Sequence, residues 1–249
     1  MLKVENLVKS FGGVAATRDV TLDFPDGSLT AVIGPNGAGK TTLFNLITGH
    51  LTPDSGKILL DGEDIVGLSP AQVVHRGLGR AFQVASIFPS LTVLEAMTAA
   101  VTSHRGESGN MWRRFPTAAA RARAQEHLEL LGLADVGGLL SRNLSHGDQK
   151  LLDIGLALAL EPKVLLLDEP TAGMGPEERW AMIEKVQALW RLGGMTLVFI
   201  EHDMDIVFKI AQTVRVLRYG AVLAEGTPDE IRTNEAVIDA YLGRAEEHA

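Results

Sequence analysis

Apolar and polar positions alternate in short runs over the first thirty residues, the pattern of strands with one face buried. Leu2-Lys3-Val4, Leu7-Val8 and Val20-Thr21-Leu22-Asp23-Phe24 read as strands, and Pro25-Asp26-Gly27 as a strong turn. Lys57-Ile58-Leu59-Leu60 followed by Asp61-Gly62 adds another strand and turn. Together these predict an antiparallel β layer. Leu29–Ile33 is instead of fully buried type, and Thr42–Ile47 reads as a helix closed by Gly49.

Residues 69–80 predict a short helix leading to Gly79-Arg80-Ala81-Phe82-Gln83. Beyond Gln83 the strand signal fades. Thr92–Val101 and Thr117–Leu131 predict helices, with polar His104–Asn110 as a loop between them. The second helix shows Leu128 and Leu131 as a sparse apolar face among Arg121, Arg123, Glu126 and Glu129. After Leu144 the α/β pattern returns. Gly147–Leu160 is helical and Val164–Leu167 is an apolar strand of central type. Glu177–Leu192 is helical, Met195–Ile200 a second such strand, and Asp203–Ala211 a helix. Thr213–Leu217 and Ala221–Ala224 pair around Tyr219-Gly220, and Thr227 opens the last helical stretch. The pattern predicts one α/β domain over residues 1–249. Residues 1–87 and 144–249 supply the core and the β layer, and 88–143 form an inserted α-helical subdomain.

One segment gives this pattern a chemistry. Gly34-Pro35-Asn36-Gly37-Ala38-Gly39-Lys40-Thr41 fits the phosphate-binding loop G-x-x-x-x-G-K-[ST] without a mismatch. Glycines let the backbone curl and point its N–H groups at phosphate oxygens. Lys40 adds a point charge for the β- and γ-phosphates. The Thr41 hydroxyl suits Mg²⁺, a hard ion that prefers oxygen. The loop lies between a buried strand and a helix that continues through Thr42, so the helix N-terminus also favours an anion.

Three apolar strands end in polar groups: at Gly34, at Asp168-Glu169 and at Glu201-His202. In a parallel α/β sheet, ligands bind beyond the carboxyl ends of the strands. Asp168 is suited to hold Mg²⁺ through a water, and Glu169 to polarise the attacking water as general base. An acidic pair after a strand is, by itself, often an N-cap and a solvated neighbour. Behind a phosphate loop in the same chain, the catalytic reading outweighs that one. Gln83 and His202 carry little weight on their own.

Bulk properties narrow the partners. Net charge is −8, from 23 basic and 31 acidic residues, which argues against a general nucleic-acid binder. There is no cysteine, so disulfide and thiolate chemistry are excluded. Met1–Asn6 carries charge where a signal peptide needs an apolar core. The most apolar run, Ile154–Leu160, is too short to cross a bilayer. The expectation is a soluble chain unless another subunit holds it to a membrane.

With these residues in hand the chain resembles ATP-binding-cassette ATPases over nearly its whole length. The resemblance implies a P-loop NTPase fold of RecA-like type, binding of ATP and Mg²⁺, and ATP hydrolysis coupled to transport. It identifies Lys40 and its loop with the Walker A motif, and Asp168 and Glu169 with Walker B and its catalytic glutamate. Gln83 falls at the Q-loop, where the family places a metal contact, and His202 at the switch histidine. Phe11 falls where an aromatic ring stacks on adenine. The family signature, Leu-Ser-Gly-Gly-Gln, reads here Leu144-Ser145-His146-Gly147-Asp148. Ser145 and Gly147 are kept, and the family places them over the ATP of a partner subunit. Asp148 suits the helix dipole and opposes a phosphate, so its side chain is expected to point away. The D-loop reads Ala172-Gly173-Met174-Gly175, without the usual closing aspartate.

Phe11-Gly12-Gly13, Gly79–Gln83, Ile200-Glu201-His202-Asp203-Met204 and Ala240-Tyr241-Leu242-Gly243 are most similar to the branched-chain amino-acid importers. Urea and amide importers share most of these pieces and lipopolysaccharide-export ATPases several, and a soluble cassette ATPase without a membrane partner is a rival reading. The resemblance implies a second copy or a homologous ATPase subunit, transmembrane permease subunits and, indirectly, a substrate-binding protein. It places the chain peripherally on the cytoplasmic face of the membrane, with no nucleic acid involved. Val84, Ile87, Phe88, Pro89 and Leu91 are candidates for the socket that receives the permease, or else pack the base of the insert.

Overall fold

A computed structural model describes residues 1–82, 85, 87–104 and 117–242. In chain order these form β1 (Leu2–Phe11), β2 (Val14–Phe24), β3 (Leu29–Ile33), α1 (Lys40–Ile47), β4 (Ser55–Leu60), β5 (Glu63–Asp64) and α2 (Pro70–His75). Next come β6 (Leu78–Ala81), α3 (Val93–His104), α4 (Ala118–Leu131), α5 (His146–Leu158), β7 (Val164–Asp168) and α6 (Pro176–Gly193). The chain closes with β8 (Thr196–Ile200), α7 (Met204–Ile210), β9 (Thr213–Arg218), β10 (Ala221–Gly226), α8 (Pro228–Arg232) and α9 (Glu235–Leu242). Two compact units divide them: Met1–Leu78 with Gly194–Ala249, and Gly79–Gly193.

The first unit holds the expected antiparallel layer, in the order β2-β1-β4-β5. Gly12 and Gly13 turn the β1–β2 hairpin with φ of 52° and 87°. Positive φ at both central residues suits the right-handed twist of the strands. Leu2–Val4 and Leu7–Val8, expected as separate pieces, are one strand. The polar break at Glu5-Asn6 is a bulge. Asn6 takes φ 50° and Asp19, opposite, φ 55°. The Asn6 N–H donates to Thr21 Oγ1 at 2.9 Å and its amide to Asp19 Oδ1 at 2.8 Å. Asparagine and aspartate tolerate this conformation, so the ladder continues past it.

A second sheet in this unit runs β10-β9-β3-β8. β3 is parallel to both β8 and β9, and every residue of β3 and β8 is buried. That is the environment such largely apolar strands require, and it encloses Thr30 and Thr196 as well. Serine-proline and threonine-proline starts build two of the helices. Ser69 and Gln72 close a capping box on α2, and Thr227 and Glu230 close another on α8.

Residues 69–80 are not one helix. α2 stops at His75, Gly77 takes φ 98°, and Leu78–Ala81 becomes strand β6. The left-handed glycine ends the helix and frees the chain for extended structure. In the second unit β6 neighbours β7, and α3, α4 and α5 pack together. The face of α4 is wider than its two leucines suggested. Ala120, Ala124, Leu128 and Leu131 are all buried, at helical spacing. Small side chains read as neutral in the sequence yet allow close approach. Gly155 of α5 serves the same end: a Cβ there would lie 2.3 Å from Leu131 Cδ1 and 2.9 Å from Met97 Cε. No helix among the described residues is long and apolar enough to cross a membrane.

Candidate nucleotide-binding site

In the first unit, Gly34–Gly39 joins β3 to α1. Gly34 has φ 151°, and a Cβ there would lie 2.1 Å from the Leu217 carbonyl oxygen. Gly39 has φ 103°, and its Cβ would lie 2.3 Å from the Ala16 carbonyl oxygen. Neither position has room for a side chain. Gly37 has nothing within 4 Å of its Cβ position, and only its φ of 77° favours glycine. The turn between β9 and β10 braces the loop. The Gly220 N–H donates to Ala38 O at 3.0 Å, while Gly220 O accepts the Arg18 N–H at 2.6 Å. Lys40 opens α1 and is 7% exposed. Its ammonium folds back over the loop and donates to Gly34 O at 2.7 Å and Pro35 O at 3.1 Å. The charge is thus held at a helix N-terminus, where the first N–H groups and the helix dipole already favour an anion. Asn36, Gly37 and Thr41 are exposed around it and Thr42 is half-buried.

The pairing of Val32 with Ile200 sets Ile33-Gly34 beside Glu201-His202. Two of the three polar strand ends are therefore at one edge of this sheet. Glu201 is buried and accepts the His202 N–H at 3.2 Å, and the His202 side chain is exposed. Phe11 is 47% exposed, with Lys9 Nζ 5.6 Å from its ring centre. Tyr241 of α9 makes a hydrogen bond to the Gly34 backbone, and burial pushes its phenol up to about 12. The C-terminal helix therefore reaches the phosphate loop, a contact absent from the sequence reading.

In the second unit β7 delivers Asp168 and Glu169. Asp168 is buried and accepts Arg80 Nη2 at 2.8 Å, both side chains being almost wholly enclosed. Its other oxygen, Oδ1, is buried without a hydrogen-bond partner. A buried carboxylate oxygen left without a partner is costly, and a hydrated cation would satisfy it. Glu169 is half-buried and takes φ 50°. For a residue with a side chain that conformation costs about 1–3 kcal/mol and is concentrated at functional sites. Its carbonyl accepts the Ala172 N–H at 3.1 Å and Lys150 Nζ at 2.9 Å.

Ser145 caps α5 as its position before the helix implies, and Gly147 lies in the first turn. Asp148 departs from expectation. Its carboxylate does not point away but accepts the Ser145 hydroxyl at 2.8 Å, while the Ser145 oxygen accepts the Asp148 N–H at 3.1 Å. The aspartate, three residues after the N-cap serine, lies over it in the first turn of the helix and within reach of its hydroxyl. His146 Nε2 lies 3.2 Å from Ala172 O, and Gly173, with φ 81°, has its Cβ position 3.2 Å from the same nitrogen. His146, one departure from the signature, thus packs on the start of the D-loop, at Ala172-Gly173. Gln83 and Val84 lie outside the described residues. Phe88 is 49% exposed, Pro89 is exposed, and Ile87 and Leu91 are half-buried. Arg80, Lys150 and Asp153 were missed as site residues, although Lys150 and Asp153 are the only charges in an otherwise apolar stretch of α5.

Residues 17–172 match the ABC transporter family. The chain belongs to that family. Residues 221–247 also match the family described as branched-chain amino acid ATP-binding cassette transporter. This ABC ATPase is 37% identical over 253 residues to the high-affinity branched-chain amino acid transport ATP-binding protein LivG of Salmonella typhimurium, covering 98% of both chains. It is equally similar, 37% with 98% of both covered, to BraF of Pseudomonas aeruginosa, of the same description. Its fold matches the ADP conformation of MJ1267, an ATP-binding cassette of an ABC transporter, at TM-score 0.85 and 31% identity, covering 98% of both chains. It also matches the dimeric, post-hydrolysis cassette MJ0796 bound to ADP and phosphate, at TM-score 0.78 and 25% identity, over 92% of this chain and 99% of that one. The fold is that of a P-loop NTPase, and the chain is a nucleotide-binding ATPase of the ABC type.

Proposed function

We propose that this chain is the ATP-hydrolysing subunit of an importer of branched-chain amino acids. One observation carries the reading: full-length similarity to two proteins described as branched-chain amino acid transport ATP-binding proteins. The C-terminal match supports it. On this reading the chain works with a second copy of itself or a homologous ATPase, on permease subunits fed by a substrate-binding protein. It sits peripherally on the cytoplasmic face of the membrane, and residues 88–143 are an insert in a single cassette domain.

Each side chain then has a task. Phe11 stacks on adenine. Lys40 and the N–H groups from Gly34 to Thr42 hold the phosphates. Thr41, Gln83 and Asp168 would hold Mg²⁺, which supplies charge neutralisation on the β- and γ-phosphates. The partnerless Oδ1 of buried Asp168 fits that task. Glu169 accepts the proton of the attacking water, and His202 orients the γ-phosphate. Ser145 and Gly147 of the second subunit cover that phosphate from outside.

Glu169→Gln should bind ATP normally and hydrolyse it roughly 10²–10⁴-fold more slowly. Turnover close to the unmodified protein would remove Glu169 from the role. Substrate is tested in vesicles holding this chain with candidate transmembrane permease subunits and a substrate-binding protein. ATP-dependent uptake of leucine, isoleucine or valine is expected, and uptake of urea or short amides in their place overturns the assignment.

A further inference from the structure

α5 carries its signature at one end and two buried charges in its middle. Lys150 is 2% exposed and Asp153 5%, among buried Leu151, Leu152, Ile154 and Leu156. Removing a lysine from water is unfavourable unless its ammonium gains well-placed acceptors. Lys150 Nζ donates at 2.9 Å to the carbonyl oxygen of Glu169. Four residues earlier on the same helix face, His146 Nε2 lies 3.2 Å from the carbonyl oxygen of Ala172. Glu169 and Ala172 are the two ends of one turn, closed by the Ala172 N–H on Glu169 O at 3.1 Å. The signature helix therefore grips both ends of the turn that presents Glu169.

We propose that Lys150 is a positioning residue for Glu169, holding its backbone in the left-handed conformation and tying it to the signature helix. The proposal rests on the reading of Glu169 as general base. At φ 50° the Glu169 backbone is in a conformation that a side chain opposes, and Pro170 behind it disfavours the ordinary helical alternative. Rotation towards an extended backbone would swing the carbonyl and the carboxylate together. Two hydrogen bonds on that one carbonyl oppose the rotation. Asp153 extends the same arrangement, since its carboxylate accepts the Phe82 N–H at 2.9 Å, next to Gln83. A displacement of α5 driven by a phosphate at Ser145 is thereby passed to the general base.

The test is a double-mutant cycle on the full-length chain, read as kcat and KM for MgATP. Lys150→Met should lower kcat about 10- to 100-fold, the loss expected of a displaced catalytic group. KM should stay within about threefold, because phosphate binding does not use Lys150. Lys150→Arg, which keeps a charged donor, should recover most of the rate. In the Glu169→Gln background, Lys150→Met should cost nothing further, since the group it positions is already gone. If Lys150→Met does not fold, Lys150→Gln takes its place in the cycle. Equal losses in both backgrounds, a change confined to KM, or full turnover in Lys150→Met with a slow Glu169→Gln overturn the positioning role. A fast Glu169→Gln removes the reading beneath it, and shows itself before Lys150 is altered.

Discussion

The Ser145 hydroxyl donates to the Asp148 carboxylate at 2.8 Å, within the first turn of the helix that carries the family signature. On the proposed reading, the serine is engaged with a negative charge at the place where a partner's γ-phosphate would arrive. For a partner's ATP to use that hydroxyl, the carboxylate must yield it, and the phosphate must approach against like charge. Asp148→Gln restores the family residue and removes the charge. In the Glu169→Gln background it should lower the ATP concentration for half-maximal dimer by about two- to fivefold, the scale of one charge at a helix N-terminus. Light scattering against ATP concentration reads this directly. An unchanged or raised midpoint would show that the carboxylate does not oppose the phosphate.

Gly37 and Gly39 are two positions apart in one loop and differ in what they exclude. Alanine at 37 meets only an unfavourable φ, a cost of about 1 kcal/mol and a Tm loss of about 2–4 °C. Alanine at 39 also meets the Ala16 carbonyl at 2.3 Å, which forces backbone apart. It should cost about 3 kcal/mol or more, with a Tm loss of about 6 °C or beyond. Thermal melts without nucleotide separate the two, and equal melts would refute the close approach.

His127 on α4 is half-buried. Desolvation, then the nearby Arg123 charge, hold its imidazolium below the ordinary 6.5, while Glu161 and Glu126 partly offset them. A histidine with a depressed folded value binds its proton more weakly than the unfolded chain does. Its contribution is present above about 6.5 and is lost as pH falls through the folded value. Urea midpoints should therefore decline on acidification below about 6.5, and His127→Gln should decline less. Parallel curves for the two proteins would take His127 out of the acid response.

Phe88 is 49% exposed, more than a side chain packing the base of an insert would be. Phe88→Ala should leave the isolated ATPase rate unchanged and lower transport per ATP in vesicles about tenfold, the loss of one aromatic anchor on a permease helix. A fall in the isolated rate, or in Tm, would make Phe88 a structural residue.

Most of the α/β framework was legible because its signals are local. β3, β7 and β8 are largely apolar runs, and the capping boxes at Ser69 and Thr227 stand within four residues of sequence. β6 was not legible. Only Arg76 and Gly77 separate its four residues from α2, and its apolar content is too small to distinguish an extended segment from a continued helix. The alanine half of the α4 face was missed for a related reason, since alanine marks neither inside nor outside until a neighbour closes on it.

The sequence alone determined the phosphate loop, because curvature and charge there depend on residue types at fixed spacing, and those types are Gly34, Gly39 and Lys40. It likewise determined which strands end in carboxylates. Only the tertiary structure decided what those residues touch. Arg80 meets Asp168 from 88 positions away, and Lys150 meets the Glu169 carbonyl from 19. Such pairs depend on how α5, β6 and β7 pack, and packing depends on long-range burial that no local spacing records. Asp148 shows the same limit at short range. Its charge was visible in the sequence, but its direction was set by competition between a serine hydroxyl and solvent, which the folded helix end resolves in favour of the serine.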